Sequence, residues 1–264
     1  MSPSLDSDWR WAQALLSAAV QEGGAIALRY WRNAPRQRAK ADGSPVSEAD
    51  LAVDACLAER LRTRLPEAAW LSEESAAPAA EREAELAWIV DPIDGTRPYL
   101  AGEPGFCVAA ALTFQGRPVA SAIFAPALEV LYAAARSHGA VRNGAPMHAS
   151  RRGSLQGAAL SAPKAAFPEA PPPTLLANTA MCLTLAEVGA GAVDALVARG
   201  RKSDWDLAAG ALLVEEAGGL ATRLDGAPFA FNGAQPQQDG VLAAGRDLHG
   251  LLKSRFAEQE AIWS

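Results

Sequence analysis

The sequence predicts a mixed protein, with an α+β N-terminal half followed by an α/β C-terminal half. Three observations carry this: apolar residues at helical spacing over 8–65, short extended runs parted by turn residues over 69–144, and alternating helix-like and strand-like segments after 179. With 264 residues, half of them hydrophobic, the chain can bury a sizeable core as one large domain or two fused ones.

The first helix is read over 8–31, with Trp11, Leu15, Ala18, Ala19, Ala25, Ile26 and Tyr30 inward and Gly23-Gly24 weakening its middle. After a basic, turn-forming stretch over 36–45, Ser47-Glu48-Ala49-Asp50 has the form of a capping box. It opens a second helix with Leu51, Ala55, Ala58, Leu61 and Leu65 inward, and Pro66 ends it. Residues 69–72 and 86–90 read as buried strands that each run into acids. Residues 77–85 read as a solvated loop or short surface helix. Residues 106–114, 119–124 and 130–134, with turns at Gln115-Gly116 and Asn143-Gly144, read as an antiparallel meander. A proline-rich loop over 167–173 precedes helices at 179–188 and 205–217, strands at 193–197, 220–223 and 240–244, and a final helix.

The balance of 24 Lys+Arg against 30 Asp+Glu gives a net charge of −6, which speaks against a nucleic-acid polymer or an anionic membrane as partner. Cys56, Cys107 and Cys182 are too scattered for a disulfide framework or a zinc pattern. The polar, acidic N-terminus lacks the basic start and apolar run of a signal peptide. The most apolar region, 108–131, is too interrupted to span a membrane, so a cytoplasmic protein is expected.

The most informative segment is Trp88-Ile-Val-Asp-Pro-Ile-Asp-Gly-Thr96. A strand delivers Asp91 at its end, Pro92 forces a turn, and Asp94 returns to the same point. Two carboxylates so placed suit a hard cation such as Mg²⁺, and the Gly95 and Thr96 amides can nest a phosphate. The same residues are also good turn formers. Ser72-Glu73-Glu74-Ser75, taken alone, reads as a solvated loop more readily than as a ligand. Asp50 and Asp206 each fit helix capping, Asp206 within Ser203-Asp204-Trp205-Asp206.

Taken together, Trp88 to Thr96, Trp205-Asp-Leu-Ala-Ala-Gly210, Glu215-Glu-Ala-Gly-Gly219, Ser72-Glu-Glu-Ser75 and Ser44-Pro-Val-Ser-Glu-Ala-Asp50 resemble, in order and spacing, the signatures of the inositol monophosphatase superfamily. The resemblance implies a lithium-sensitive, metal-dependent phosphatase with a layered αβαβα sandwich of the sugar-phosphatase type. Its N-terminal lobe, 1–145, would carry most metal ligands, and its C-terminal lobe, 146–264, Asp206 and the substrate-selecting residues. It further implies one Mg²⁺ on Glu73, Asp91 and the Ile93 carbonyl, and a second on Asp91, Asp94 and Asp206. Glu73 would touch a third, more loosely held ion. Asp50 and Thr96 would orient and deprotonate the attacking water, with the phosphate on the Gly95 and Thr96 amides. Family members are often homodimers. None of His138, His148 and His249 lies in a motif.

For the substrate, a small phosphorylated metabolite, the stretch 198–203 lacks the glutamate with which inositol-selective members hold hydroxyls. It carries Arg199, Arg201 and Lys202 instead. Those cations read as a site for a further anionic group or as a solvated turn. Together with Lys40-Ala-Asp-Gly-Ser-Pro-Val46 and Gly95-Thr-Arg-Pro-Tyr99, which resemble the 3'(2'),5'-bisphosphate nucleotidase branch, they favour the 3'-phosphate of adenosine 3',5'-bisphosphate. Inositol-1-phosphate is the alternative, followed by histidinol phosphate and sugar bisphosphates. A structural cation-binding protein is the non-enzyme alternative.

Overall fold

Seven strands form one sheet and five another, and helices fill the space between them and cover both outer faces, in a computed structural model that describes residues 4–5, 7–33, 35–39, 45–75, 84–163, 166–167, 174–176 and 180–263. The chain opens with α1 (Arg10–Tyr30), the short hairpin β1 (Gln37–Ala39) and β2 (Pro45–Ser47), and α2 (Glu48–Arg62). Next come β3 (Ala69–Ser72), β4 (Leu86–Asp94), the short α3 (Thr96–Leu100), β5 (Cys107–Phe114), β6 (Arg117–Ala125), β7 (Val130–Ala135), β8 (Ala140–Arg142) and β9 (Ala145–Pro146). The remainder is β10 (Ala159–Ser161), β11 (Thr174–Leu176), α4 (Met181–Gly189), β12 (Ala195–Ser203), α5 (Asp204–Glu216), β13 (Gly219–Thr222), β14 (Gln237–Gly245) and α6 (Arg246–Trp263).

The first sheet runs β3 to β9 in chain order, antiparallel except for the parallel β3–β4 pair. The second has the order β11-β10-β12-β14-β13. Because strand side chains alternate, each sheet has two distinct faces. Trp88, Val90 and Val108 pack with α1 and α2 on one face of the first sheet. Ile89, Cys107 and Ala109 pack with α4 and α5 on the other. Leu196, Ala198 and Val241 of the second sheet close the same central cluster, while Val197 and Leu242 face α6. The order is therefore αβαβα, as the resemblance implied. The first sheet ends at Pro146, so a division at 145/146 falls inside β9.

Both inward helix faces differ from the expectation. In α1 the buried residues are Ala12, Leu16, Ala19, Val20, Gly23, Gly24 and Ala27, whereas Trp11 is exposed. Size decided the face. A Cβ on Gly24 would stand 2.5 Å from Phe124 Cδ1 of β6, and one on Gly23 3.1 Å from Val53 Cγ1 of α2, so the two glycines let the helix lie close on its neighbours instead of weakening it. In α2, Ala49, Val53, Leu57 and Leu61 turn inward together with Asp50 and Asp54, and Leu51 is exposed.

Pro92 makes no turn. β4 continues to Asp94 through a register shift in which Asp91 pairs with Ala109 and Asp94 with Cys107, leaving one extra residue on β4. In a regular strand, residues three apart face opposite ways. The bulge puts Asp91 and Asp94 on the same face, the one toward α4 and α5, and a proline without an amide is tolerated there. The turns at Gln115-Gly116 and Asn143-Gly144 have all four φ values positive, as tight hairpins require. The β1–β2 hairpin and the strands β10 and β11 were not foreseen. Most of 77–85 and of 167–173 lies outside the described residues. Among those described, no helix is long and apolar enough to cross a membrane.

Candidate active site

Five acids gather where β3 and β4 end and α2 and α5 begin. Asp91 is buried, its Oδ1 has no hydrogen-bond partner, and burial pushes its carboxyl well above the usual range. The negative charges of Glu73, Asp94, Asp206 and Asp50 all act on it in the same direction. Asp50 comes from the first turn of α2, where its Oδ2 accepts from the Ser47 amide at 2.8 Å and the Ser47 hydroxyl at 2.6 Å, closing the capping box. Its Oδ1 is buried without a partner, and burial raises its pKa despite the Ser47 bonds. Capping and membership of the acid cluster thus coexist in one side chain, one oxygen for each.

Asp206 caps α5 in the same manner, accepting from the Ser203 amide at 3.0 Å. Burial and the Asp94 charge raise its pKa to about 7. Asp94 reaches across to the second half of the chain, where its carboxylate accepts from the Met181 amide at 3.1 Å and the Cys182 amide at 2.6 Å, the opening of α4. Burial outweighs those bonds and sets its pKa at about 6. The Cys107 thiol also leans on Asp94 at 3.6 Å, and the Cys182 thiol donates to the carbonyls of Trp205 and Asp206. Cys182, with its amide on Asp94 and its thiol on the Asp206 carbonyl, therefore ties the two segments together, a link with no sequence signature.

Gly95 precedes α3 at φ 87°, and a Cβ there would stand 2.8 Å from the Gly105 carbonyl oxygen. Tyr99 holds α3 in place by donating to the Ala27 carbonyl of α1 at 2.8 Å. Thr96 Oγ donates to the Ile93 carbonyl at 3.1 Å, so those two groups engage each other. The cations of 199–202 separate. The Arg199 guanidinium lies 5.9 Å from the Phe256 ring centroid, on the α6 side of the second sheet. Arg201 reaches Gln237 at 3.5 Å. Lys202 donates to the Arg199 and Arg201 carbonyls, and its charge stabilises the Asp206 carboxylate.

Among the described residues, no three His, Cys, Asp or Glu side chains stand close enough to hold a metal ion as they are. Asp50, Asp94 and Asp206 each spend at least one oxygen on backbone amides. The donor set nevertheless fits a hard cation: it is all oxygen, it concentrates negative charge, and it contains two buried carboxylate oxygens, on Asp50 and Asp91, with no partner of their own. The three histidines stay outside the site; His249, for example, pairs with Thr222.

An αβαβα sandwich with acids collected at strand ends between its two sheets is a sugar-phosphatase architecture. The chain belongs to the inositol monophosphatase family of phosphoric monoester hydrolases, whose profile matches residues 10–261. It is 36% identical over 233 residues to a glucose-1-phosphate thymidylyltransferase of Streptomyces griseus, covering 84% of this chain and 87% of that protein. It is 33% identical over 259 residues to the inositol-1-monophosphatase of Mesorhizobium japonicum, covering 91% and 94%. Of solved structures, the extragenic suppressor protein suhB from Bartonella henselae superposes with a TM-score of 0.81 at 26% identity, covering 92% of this chain and 97% of that one. The names of these relatives differ in activity.

Proposed function

We propose that this protein hydrolyses a small phosphate monoester with Mg²⁺, through Glu73, Asp91, Asp94 and Asp206 as the acids that hold the cation and the Ile93 carbonyl beside them. The observation that carries the reading is the buried, unpartnered Asp91 Oδ1, on which the charges of four further carboxylates act. When bound, Mg²⁺ neutralises phosphate charge and the charge of the leaving oxygen. The chain's own part is placement. The Gly95 and Thr96 amides, at the start of α3 where helix geometry leaves N–H groups unpaired, hold phosphate oxygens. The free oxygen of Asp50 accepts the proton of the attacking water, which Thr96 orients. The fixed net charge of −6 is compatible with an anionic substrate because the cation reverses the local sign.

The separation of the basic residues bears on the substrate. Arg199 sits over Phe256 on the far side of β12, which removes one of three cations from a second-anion subsite and favours a monophosphate of the inositol-1-phosphate type. Likeness to the Mesorhizobium japonicum inositol-1-monophosphatase supports the same class. Lys202, whose charge acts on Asp206, supports a second reading, the 3'-phosphate of adenosine 3',5'-bisphosphate. The test is phosphate release with and without Mg²⁺ over a panel of inositol-1-phosphate, the bisphosphate nucleotide and histidinol phosphate. Asp91→Asn and Asp206→Asn are each expected to lower kcat/KM at least a hundredfold, about 2.7 kcal/mol. Unchanged rates in both variants would sink the reading.

A further inference from the structure

We infer that Asp54 is a positioning residue that fixes the loop bearing Glu73 for cation binding; the inference rests on the Mg²⁺ reading above. Asp54 lies one helical turn after Asp50 in α2, on the same buried side of the helix. Its two oxygens are fully engaged: Oδ1 accepts from the Ser72 hydroxyl at 2.5 Å, and Oδ2 from the Ser75 hydroxyl at 2.6 Å. Ser72 and Ser75 bracket Glu73 and Glu74, so one carboxylate clamps both ends of a four-residue loop.

The clamp continues outward on both sides. Ser75 Oγ also accepts from Trp70 Nε1 at 2.9 Å, tying the far end of the loop to β3. Ser72 Oγ also accepts from the Glu74 amide at 3.3 Å, and the Glu73 amide donates to the Val90 carbonyl of β4 at 3.3 Å. Each serine proton goes to Asp54, and each serine oxygen takes a second donor. The backbone on either side of Glu73 is thereby held against the strand that delivers Asp91.

Asp54 differs from Asp50 and Asp91 in how its oxygens are engaged. Asp50 and Asp91 each keep a buried oxygen without a partner, whereas both Asp54 oxygens are taken. Both of its bonds run to the serines that bracket Glu73, so Asp54 acts through that loop. Asparagine at this position has the same shape, but its amide group is a donor that faces a serine proton, so one end of the clamp opens. Loss of a partner that orients a ligand typically costs 10–100-fold in metal affinity.

The experiment is a calorimetric titration of the substrate-free protein with Mg²⁺ and with Mn²⁺, for wild type, Asp54→Asn, Ser75→Ala and Asp91→Asn, beside kinetics at varied Mg²⁺. Asp54→Asn is expected to weaken Mg²⁺ binding at least tenfold and to raise the Mg²⁺ concentration for half-maximal rate by a like factor. At saturating Mg²⁺, KM for the ester should stay within twofold of wild type. Ser75→Ala, a single hydroxyl deletion at a half-buried position, should shift both readouts in the same direction and serves if Asp54→Asn does not fold. Wild-type affinity in folded Asp54→Asn and Ser75→Ala, with Asp91→Asn still weakened, would overturn the inference and leave the Mg²⁺ reading standing. A wild type that binds neither ion would remove both.

Discussion

Replacing Gly210 with alanine is expected to destabilise the protein, although alanine is the better helix former. Gly210 lies in α5, four residues after Asp206, at the crossing with α4. An added Cβ would overlap Leu185 Cβ and stand 2.7 Å from Leu185 Cδ1 and 3.1 Å from its Cγ. A rotamer change can move Cδ1, but Cβ moves only with the α4 backbone, so the helices must separate. Overpacking of this kind costs about 2–3 kcal/mol, against a gain of about 1 kcal/mol in helix propensity. The net loss of about 1–2 kcal/mol corresponds to a Tm lowered by about 2–6 °C for a chain of this size. Gly250 is the matched control: it lies in α6 with nothing within 4 Å of its would-be Cβ, so Gly250→Ala should raise stability by up to about 1 kcal/mol. Because α4 clasps Asp94 and α5 carries Asp206, Gly210→Ala should also lower kcat/KM at least tenfold at 25 °C, where it remains folded. Thermal and urea unfolding of the three proteins decides the matter. A Gly210→Ala protein as stable as Gly250→Ala would refute the close-packing argument.

Charge reversal should separate the cations that the structure separates: Lys202→Glu is expected to raise KM at least threefold, while Arg199→Glu leaves it within twofold. Equal effects in steady-state kinetics would show only a general field. Gly95→Ala combines φ 87° with the Gly105 carbonyl contact and should cost about 1–3 kcal/mol in urea unfolding, together with most of the phosphatase activity. His249 is pushed down from 6.5 to about 4 by burial and then by the Lys253 charge. Its neutral form therefore contributes stability that is complete above pH 6.5 and lost as the pH falls toward 4, about 1–2 kcal/mol after screening. Stability of wild type relative to His249→Gln should fall over that window, and a difference independent of pH would contradict it. Millimolar Li⁺ should inhibit phosphate release, and an unaffected rate would count against a weakly held cation at the site.

The sequence by itself determined the parts that depend on local chemistry. Ser47 with Asp50 and Ser203 with Asp206 announce helix starts because the box closes within four residues, and both form. Gln115-Gly116 and Asn143-Gly144 announce hairpins because positive φ is a property of the residue. The five acids were legible from motif order. Tertiary structure alone decided the rest. Which face of α1 turns inward depended on how close the helix comes to β6, a distance that periodicity does not contain and Gly24 sets. The side on which Asp94 emerges depended on a bulge counted against β5. The amides of 181 and 182 meet Asp94 across nearly ninety residues, a separation no local pattern spans. Asp54 had a readable hint, its position one turn beyond Asp50, but its serine partners lie on another element, and only packing brings a helix face to a loop. Arg199, near Phe256, and Lys202, whose charge acts on Asp206, lie three residues apart across a register shift at 198–201 that only the pairing with β14 reveals.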